Sequence, residues 1–145
     1  MKLKTIKKII KVKNKKIIIK AIFLTAKYRM LILIIPMKKL SKYLGQYNEE
    51  SEFNLPDETY KYVYCVGKIV NKVAGHTPWK STCLVKALTA QKLLNDKLIE
   101  STIYLGVNKG EKNNLKAHAW LRCGRVYITG SNEKDDFHMV GKFKK

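Results

Sequence analysis

The hydrophobic period of this sequence changes at Asp96, and that change limits the folds open to it. Before Asp96 the apolar residues recur at three and four, and after it they alternate. Ile19, Ile22, Phe23, Ala26, Met30, Leu33 and Ile34 form a stripe that predicts an amphipathic helix over 17–35, with Lys20, Lys27 and Arg29 off it. Pro36 ends or kinks that helix. A short second helix over Met37–Leu44, with Leu40, Tyr43 and Leu44 inward, stops at Gly45. Gln46–Pro56 is polar and turn-rich and reads as a linker. Asp57, Glu58 and Thr59 then open a third helix with Tyr62, Val66, Ile69 and Val73 on one face, ending near Gly75. After the loop His76–Trp79, Ser81 or Thr82 caps a fourth helix that runs to about Asn95, with Leu84, Leu88, Gln91 and Leu94 on one side.

Beyond Asp96, Ile103, Leu105 and Val107 alternate with Thr102, Tyr104 and Gly106 in a strand over 101–107. Asn108–Asn114 reads as a hairpin turn, Leu115–Cys123 as a second strand, Gly124 as a tight turn and Arg125–Thr129 as a third strand. Met139–Phe143 supplies a last strand. Helices followed by an antiparallel meander make the chain α+β. Residues 1–16 alternate Lys with Ile and Val without cap signals, which leaves a strand, a tail and a helix start all open.

Charge divides the chain differently. Thirty Lys and Arg against eleven Asp and Glu give a net charge of +19. Residues 1–48 hold fourteen of the basic residues and no acidic one, since Glu49 is the first; the remainder is only +5. The expected organisation is a basic helical region over 1–48 and a core over 57–145, together one compact domain. At 46% hydrophobic, the composition supports a packed core and excludes wholesale disorder.

The basic residues are interleaved with Ile and Leu rather than aromatics, and no nucleic-acid-binding motif is present, so nucleic acid is not the expected partner. The longest uncharged runs, Ala21–Ala26 and Met30–Met37, fall far short of the roughly 20 apolar residues of a spanning helix. Neither a secretion signal nor a transmembrane span is expected. Packing against its own core or a partner is the preferred reading of the 17–35 helix; contact with a membrane surface is the alternative. Cys65, Cys83 and Cys123 lack CxxC spacing and form an odd set, which argues against a disulfide framework or a cysteine zinc site and for the reducing cytoplasm. No phosphate-binding loop, dinucleotide fingerprint or metalloprotease motif appears, so no cofactor and no metal are expected.

Two residues carry candidate chemistry. A cap at Ser81 or Thr82 puts Cys83 in the first helical turn, where unpaired N–H groups and the helix dipole favour negative charge. His118 lies in Ala117-His118-Ala119-Trp120, on a strand face shared with Trp120 and Arg122. A histidine on a strand facing such a cysteine would take the thiol proton and later protonate a leaving amine. Taken alone, each residue is better read as a packing residue. Cys65 reads as structural and His76 as a loop histidine near the site.

Pro78-Trp79-Lys80-Ser81-Thr82-Cys83-Leu84, then Thr102–Val107, then Ala117-His118-Ala119-Trp120 resemble the transglutaminase-like peptidases of lasso peptide biosynthesis, most closely the stand-alone peptidase half of the split B protein. The resemblance covers roughly residues 57–130, and less specifically the helical stretch 21–45. It implies a papain/transglutaminase-like fold with Cys83 as nucleophile and His118 as base. It also implies removal of a leader from a ribosomally made precursor, a separate leader-recognition protein and an ATP-dependent macrolactam-forming cyclase as partners.

The third member of that family's site is usually an Asp at the end of the next strand. Here Ile128-Thr129-Gly130-Ser131-Asn132 offers no carboxylate at that place. Asn132 is the expected orienting residue, with Thr129 or Asp135 as alternatives. The departure also keeps open a catalytically inactive scaffold of the same fold.

Overall fold

A computed structural model describes residues 14–145; the lysine-rich residues 1–13, whose form the sequence leaves open, lie outside it. Four helices come first, α1 (Lys15–Ile34), α2 (Met37–Leu44), α3 (Asp57–Ala74) and α4 (Cys83–Asn95), with a short strand β1 (Gln46–Tyr47) after α2. The strands β2 (Thr102–Lys109), β3 (Leu115–Cys123), β4 (Val126–Thr129) and β5 (His138–Lys144) follow. The expected α+β architecture is the observed one.

The sheet is antiparallel with strand order β1-β5-β2-β3-β4. A continuing meander would place β5 beside β4. Instead the chain leaves β4 at Gly130, crosses β3 beside His118 and Trp120 as a 3₁₀ turn over Ser131–Asp136 and pairs along the far side of β2. That crossing brings Gly130 and Phe137 against His118. The hairpin between β2 and β3 is also tighter than the sequence indicates, with pairing continued to Lys109 and Leu115.

Helix α4 sits between α1, α3 and the sheet. Val85, Ala87, Leu88, Ala90, Leu93 and Leu94 are all buried on it. Such a helix is enclosed on most of its circumference, so a one-sided stripe understates it. The sheet contributes Ile103, Ala119, Leu121, Cys123 and Phe143 to the same core. With Ala119, Leu121 and Cys123 turned to the helices, the alternation of β3 puts His118, Trp120 and Arg122 on its other face.

The face of α1 that meets the core is not the predicted one. Ala21, Leu24, Thr25 and Tyr28 are buried, while Ile19, Ile22, Phe23, Met30, Leu33 and Ile34 are exposed. The helix is apolar nearly all round, so period alone offers two faces. Small Ala21 and Thr25 let the backbone approach α3 and α4 closely, and that face is the buried one. On α2, Leu40 and Leu44 point inward as expected, but Tyr43 is exposed.

Gln46–Pro56 is not a free linker. Asn48 donates its N–H to the Lys142 carbonyl, and buried Ser51 bonds Thr102 Oγ1 through both its N–H (2.8 Å) and its hydroxyl (2.9 Å). The segment straps down along the sheet. Its anchor is Arg122, which is 1% exposed. Nε donates to the Tyr104 hydroxyl at 2.9 Å, Nη1 to the Gly124 carbonyl at 2.7 Å and Nη2 to the Ser51 carbonyl at 2.8 Å. The Phe53 ring lies 3.8 Å from the guanidinium. Tyr104 in turn donates to Glu50. Burial and that acceptor push the Tyr104 phenol up to about 12, and the same hydrogen bond holds the Glu50 carboxyl below its ordinary range.

Candidate active site

Thr82 is the N-cap of α4, its Oγ1 accepting the Val85 N–H at 3.5 Å. Cys83 is therefore the first helical residue. Its N–H and that of Leu84 have no acceptor within the helix, so both are free for an incoming oxygen. The residue is half-buried and packs against the edge of the core. The loop before it is held by side chains: the Thr77 hydroxyl lies 3.1 Å from the Trp79 carbonyl and 3.0 Å from Ser81 Oγ. The Trp79 indole N–H donates to Thr25 Oγ1 at 3.3 Å, which pins the loop to α1.

His118 stands opposite Gly106 on β2, in the middle of β3. Its Nε2 lies 2.8 Å from the Gly130 carbonyl oxygen. A carbonyl only accepts, so Nε2 carries the hydrogen and, in the neutral ring, Nδ1 keeps the basic lone pair. The ring lies between Trp120 and Phe137, with centroids 5.9 and 5.0 Å away. Gly106 makes room for this sandwich: a Cβ there would come within 2.8 Å of the Trp120 ring and 2.9 Å of Phe137 Cβ.

A cavity of about 280 Å³ opens at His118, lined by Asn71, Lys86, Gly130, Asn132 and Glu133 among others. Asn71 helps to shape it by donating from Nδ2 to the Ile128 carbonyl at 3.0 Å, which ties α3 to β4. Cys83 does not itself line the cavity. Lys86, one turn further along α4, does. Asn132 thus shares a cavity with His118, whereas Asp135 is exposed and paired with Lys134 at 2.7 Å. Thr129 is buried with its hydroxyl unpartnered among the described residues. The ring nitrogen of His118 is bonded to the backbone at Gly130 and to none of these three side chains.

The other cysteines lie elsewhere. Burial pushes the Cys123 thiol up to about 11, against the opposing pull of Arg122, and its Sγ lies 3.4 Å from the Glu100 carbonyl. Cys65 is half-buried on α3, and burial raises its thiol too. His76 is exposed, with Nδ1 2.7 Å from the Lys72 carbonyl. Among the described residues, no three His, Cys, Asp or Glu side chains are grouped to hold a metal ion.

Residues 31–141, from the C-terminal half of α1 into β5, match the profile of the transglutaminase-like superfamily. The chain belongs to that superfamily. The superfamily includes cysteine proteases, and the transglutaminase-like stretch contains both Cys83 and His118. No curated protein and no solved structure matches the chain. At this candidate site, sequence reasoning missed the Gly130 carbonyl and Asn71. A glycine directly after a strand was the available signal for the first, since Gly130 takes φ +70°, but a backbone acceptor leaves no mark in residue type.

Proposed function

We propose that this transglutaminase-like protein is a cysteine peptidase that removes the leader from a ribosomally made lasso peptide precursor. Its expected partners are the precursor's leader region, a separate leader-recognition protein and the macrolactam-forming cyclase that follows. The observation that carries the reading is Cys83 at the capped first position of α4, in a chain whose His118 keeps its basic nitrogen off the Gly130 hydrogen bond. The Pro-Trp-Lys-Ser-Thr-Cys and His-Ala-Trp strings supply the choice of substrate class.

In the proposed reaction, His118 Nδ1 takes the Cys83 thiol proton and the sulfur attacks the carbonyl of the last leader residue. The oxyanion that forms is met by the free N–H of Cys83. The C–N bond breaks, His118 returns the proton to the departing core-peptide amine, and the leader remains as a thioester on Cys83. Water, deprotonated by His118, attacks the thioester; the C–S bond breaks, the leader acid leaves and His118 returns the proton to the Cys83 sulfur. The Gly130 carbonyl fixes the ring tautomer and stabilises the imidazolium in both halves. Asn132, on the same cavity, is placed in this reading to support that loop.

The test is mass spectrometry of the precursor encoded beside the gene, incubated with the recognition protein and either wild type or Cys83→Ala. Loss of the leader with wild type alone is expected. Equal cleavage by Cys83→Ala would remove the nucleophile assignment. An intact precursor in both tubes would favour an inactive scaffold.

A further inference from the structure

The outward face of α1 has no part in the peptidase reading. Ile19, Phe23, Met30, Leu33 and Ile34 stand on it, with Phe23 73% and Ile34 71% exposed. By helical geometry these residues make one stripe on the side opposite buried Ala21 and Tyr28. Lys27 follows one edge, together with Lys20, which also pairs with Asp96; Arg29 follows the other edge, and Lys15 and Lys16 close the N-terminal end. Lys38, Lys39 and Lys42 on α2 extend the charge past Pro36. No acidic residue occurs before Glu49.

We propose that this face docks on an anionic lipid bilayer, with α1 lying in the interfacial plane. The single sign of charge around an apolar stripe is complementary to a negative plane and opposes a second copy of the same face. Thirteen of the fourteen basic residues in 1–48 are lysines. Lysine is depleted at protein interfaces, whereas its flexible stem suits a charge held at headgroup level beside buried apolar carbons. Crossing the membrane is not part of the proposal, because no helix among the described residues is long and apolar enough. Docking would act on the same helix that holds Trp79 through Thr25, in the loop ahead of Cys83.

The experiment is co-sedimentation of the full chain with vesicles of phosphatidylglycerol and phosphatidylethanolamine, and with vesicles of phosphatidylcholine alone. Wild type is expected to pellet at least tenfold more with the anionic vesicles and to be released by 0.5 M salt. Phe23→Asp/Leu33→Asp is expected to stay in the supernatant with an unchanged circular dichroism spectrum and melting temperature, since both side chains are exposed. Equal recovery with both vesicle types would overturn the proposal. Binding that survives the double substitution would also overturn it, by assigning the lipid contact to another segment. A dimer dissolved by the same substitution, without lipid binding, would give the face to a second copy instead.

Discussion

The Nε2 atom of His118 lies 2.8 Å from the carbonyl oxygen of Gly130, so the partner of this ring nitrogen is a neutral backbone group. The bond depends on the crossing from β4 to β5, which turns at Gly130 with φ +70°. A neutral acceptor can select the tautomer as a carboxylate does, but stabilises the imidazolium less.

Gly130→Ala tests that relationship. The added Cβ would lie 2.4 Å from the Ala119 carbonyl and 3.1 Å from His118 Nε2, on a backbone that L residues adopt with strain. Activity should fall about ten- to a hundredfold as the base shifts, measured as kcat/KM on leader cleavage. Asn132→Ala and Asp135→Ala should stay within about threefold of wild type. A loss from Asn132→Ala as large as that from Gly130→Ala would return the orienting role to the side chain.

Arg122→Ala should destabilise the fold by about 3–5 kcal/mol in urea unfolding. The substitution strips the acceptors at Ser51 and Gly124 of their buried donor and unfastens the strap over 50–53. Arg122→Lys should recover only part of the loss, because an ammonium cannot reproduce the planar fork. An unchanged midpoint for Arg122→Ala would mean that the strap contributes nothing.

Stability should fall in acid through Glu50. The Tyr104 hydrogen bond lowers its folded pKa below the ordinary 4.5, so the folded state binds fewer protons than the unfolded one. The contribution is complete above about pH 4.5 and is lost as pH falls through the folded value. Its size, discounted for partial exposure, is about 1 kcal/mol. Thermal melts of wild type and Glu50→Gln should differ at pH 7 and converge as pH falls through the folded value below 4.5; a gap that stays constant from pH 7 into acid would be the contrary result.

Thr82→Ala should cost about 1 kcal/mol and Thr82→Gly only a few tenths, by loss of the α4 cap. If the cap matters to the nucleophile, Thr82→Ala should also slow cleavage at temperatures well below its melting transition. The check is kcat/KM at 10 and 25 °C beside the unfolding curve.

Local signals made the element order legible: Pro36, Gly75, Thr82 and Gly124 each sit at the boundary the sequence assigns them, and the change of period at Asp96 marks helix giving way to strand. Tertiary choices were less legible. On α1, apolar residues surround the helix, and only the close approach allowed by Ala21 and Thr25 selects the buried face. The path of β5 depends on pairing with β2 between residues far apart in sequence, from Val107 with His138 to Thr102 with Lys144, which no local pattern encodes. Cys83 and His118 were nameable because side-chain type carries their chemistry. The Gly130 acceptor was not, because every residue has a carbonyl.

A Cys83 nucleophile served by His118, as proposed, would be unusually reactive, and alkylation reads that reactivity without any substrate. Iodoacetamide labelling at pH 7, followed by peptide mass spectrometry, should modify Cys83 ahead of Cys65 and leave buried Cys123 unlabelled in the native protein. His118→Ala should slow Cys83 labelling at least about tenfold while leaving Cys65 unchanged. Cys83 labelling no faster than that of Cys65, or a rate indifferent to His118→Ala, would remove the proposed pairing of the two residues.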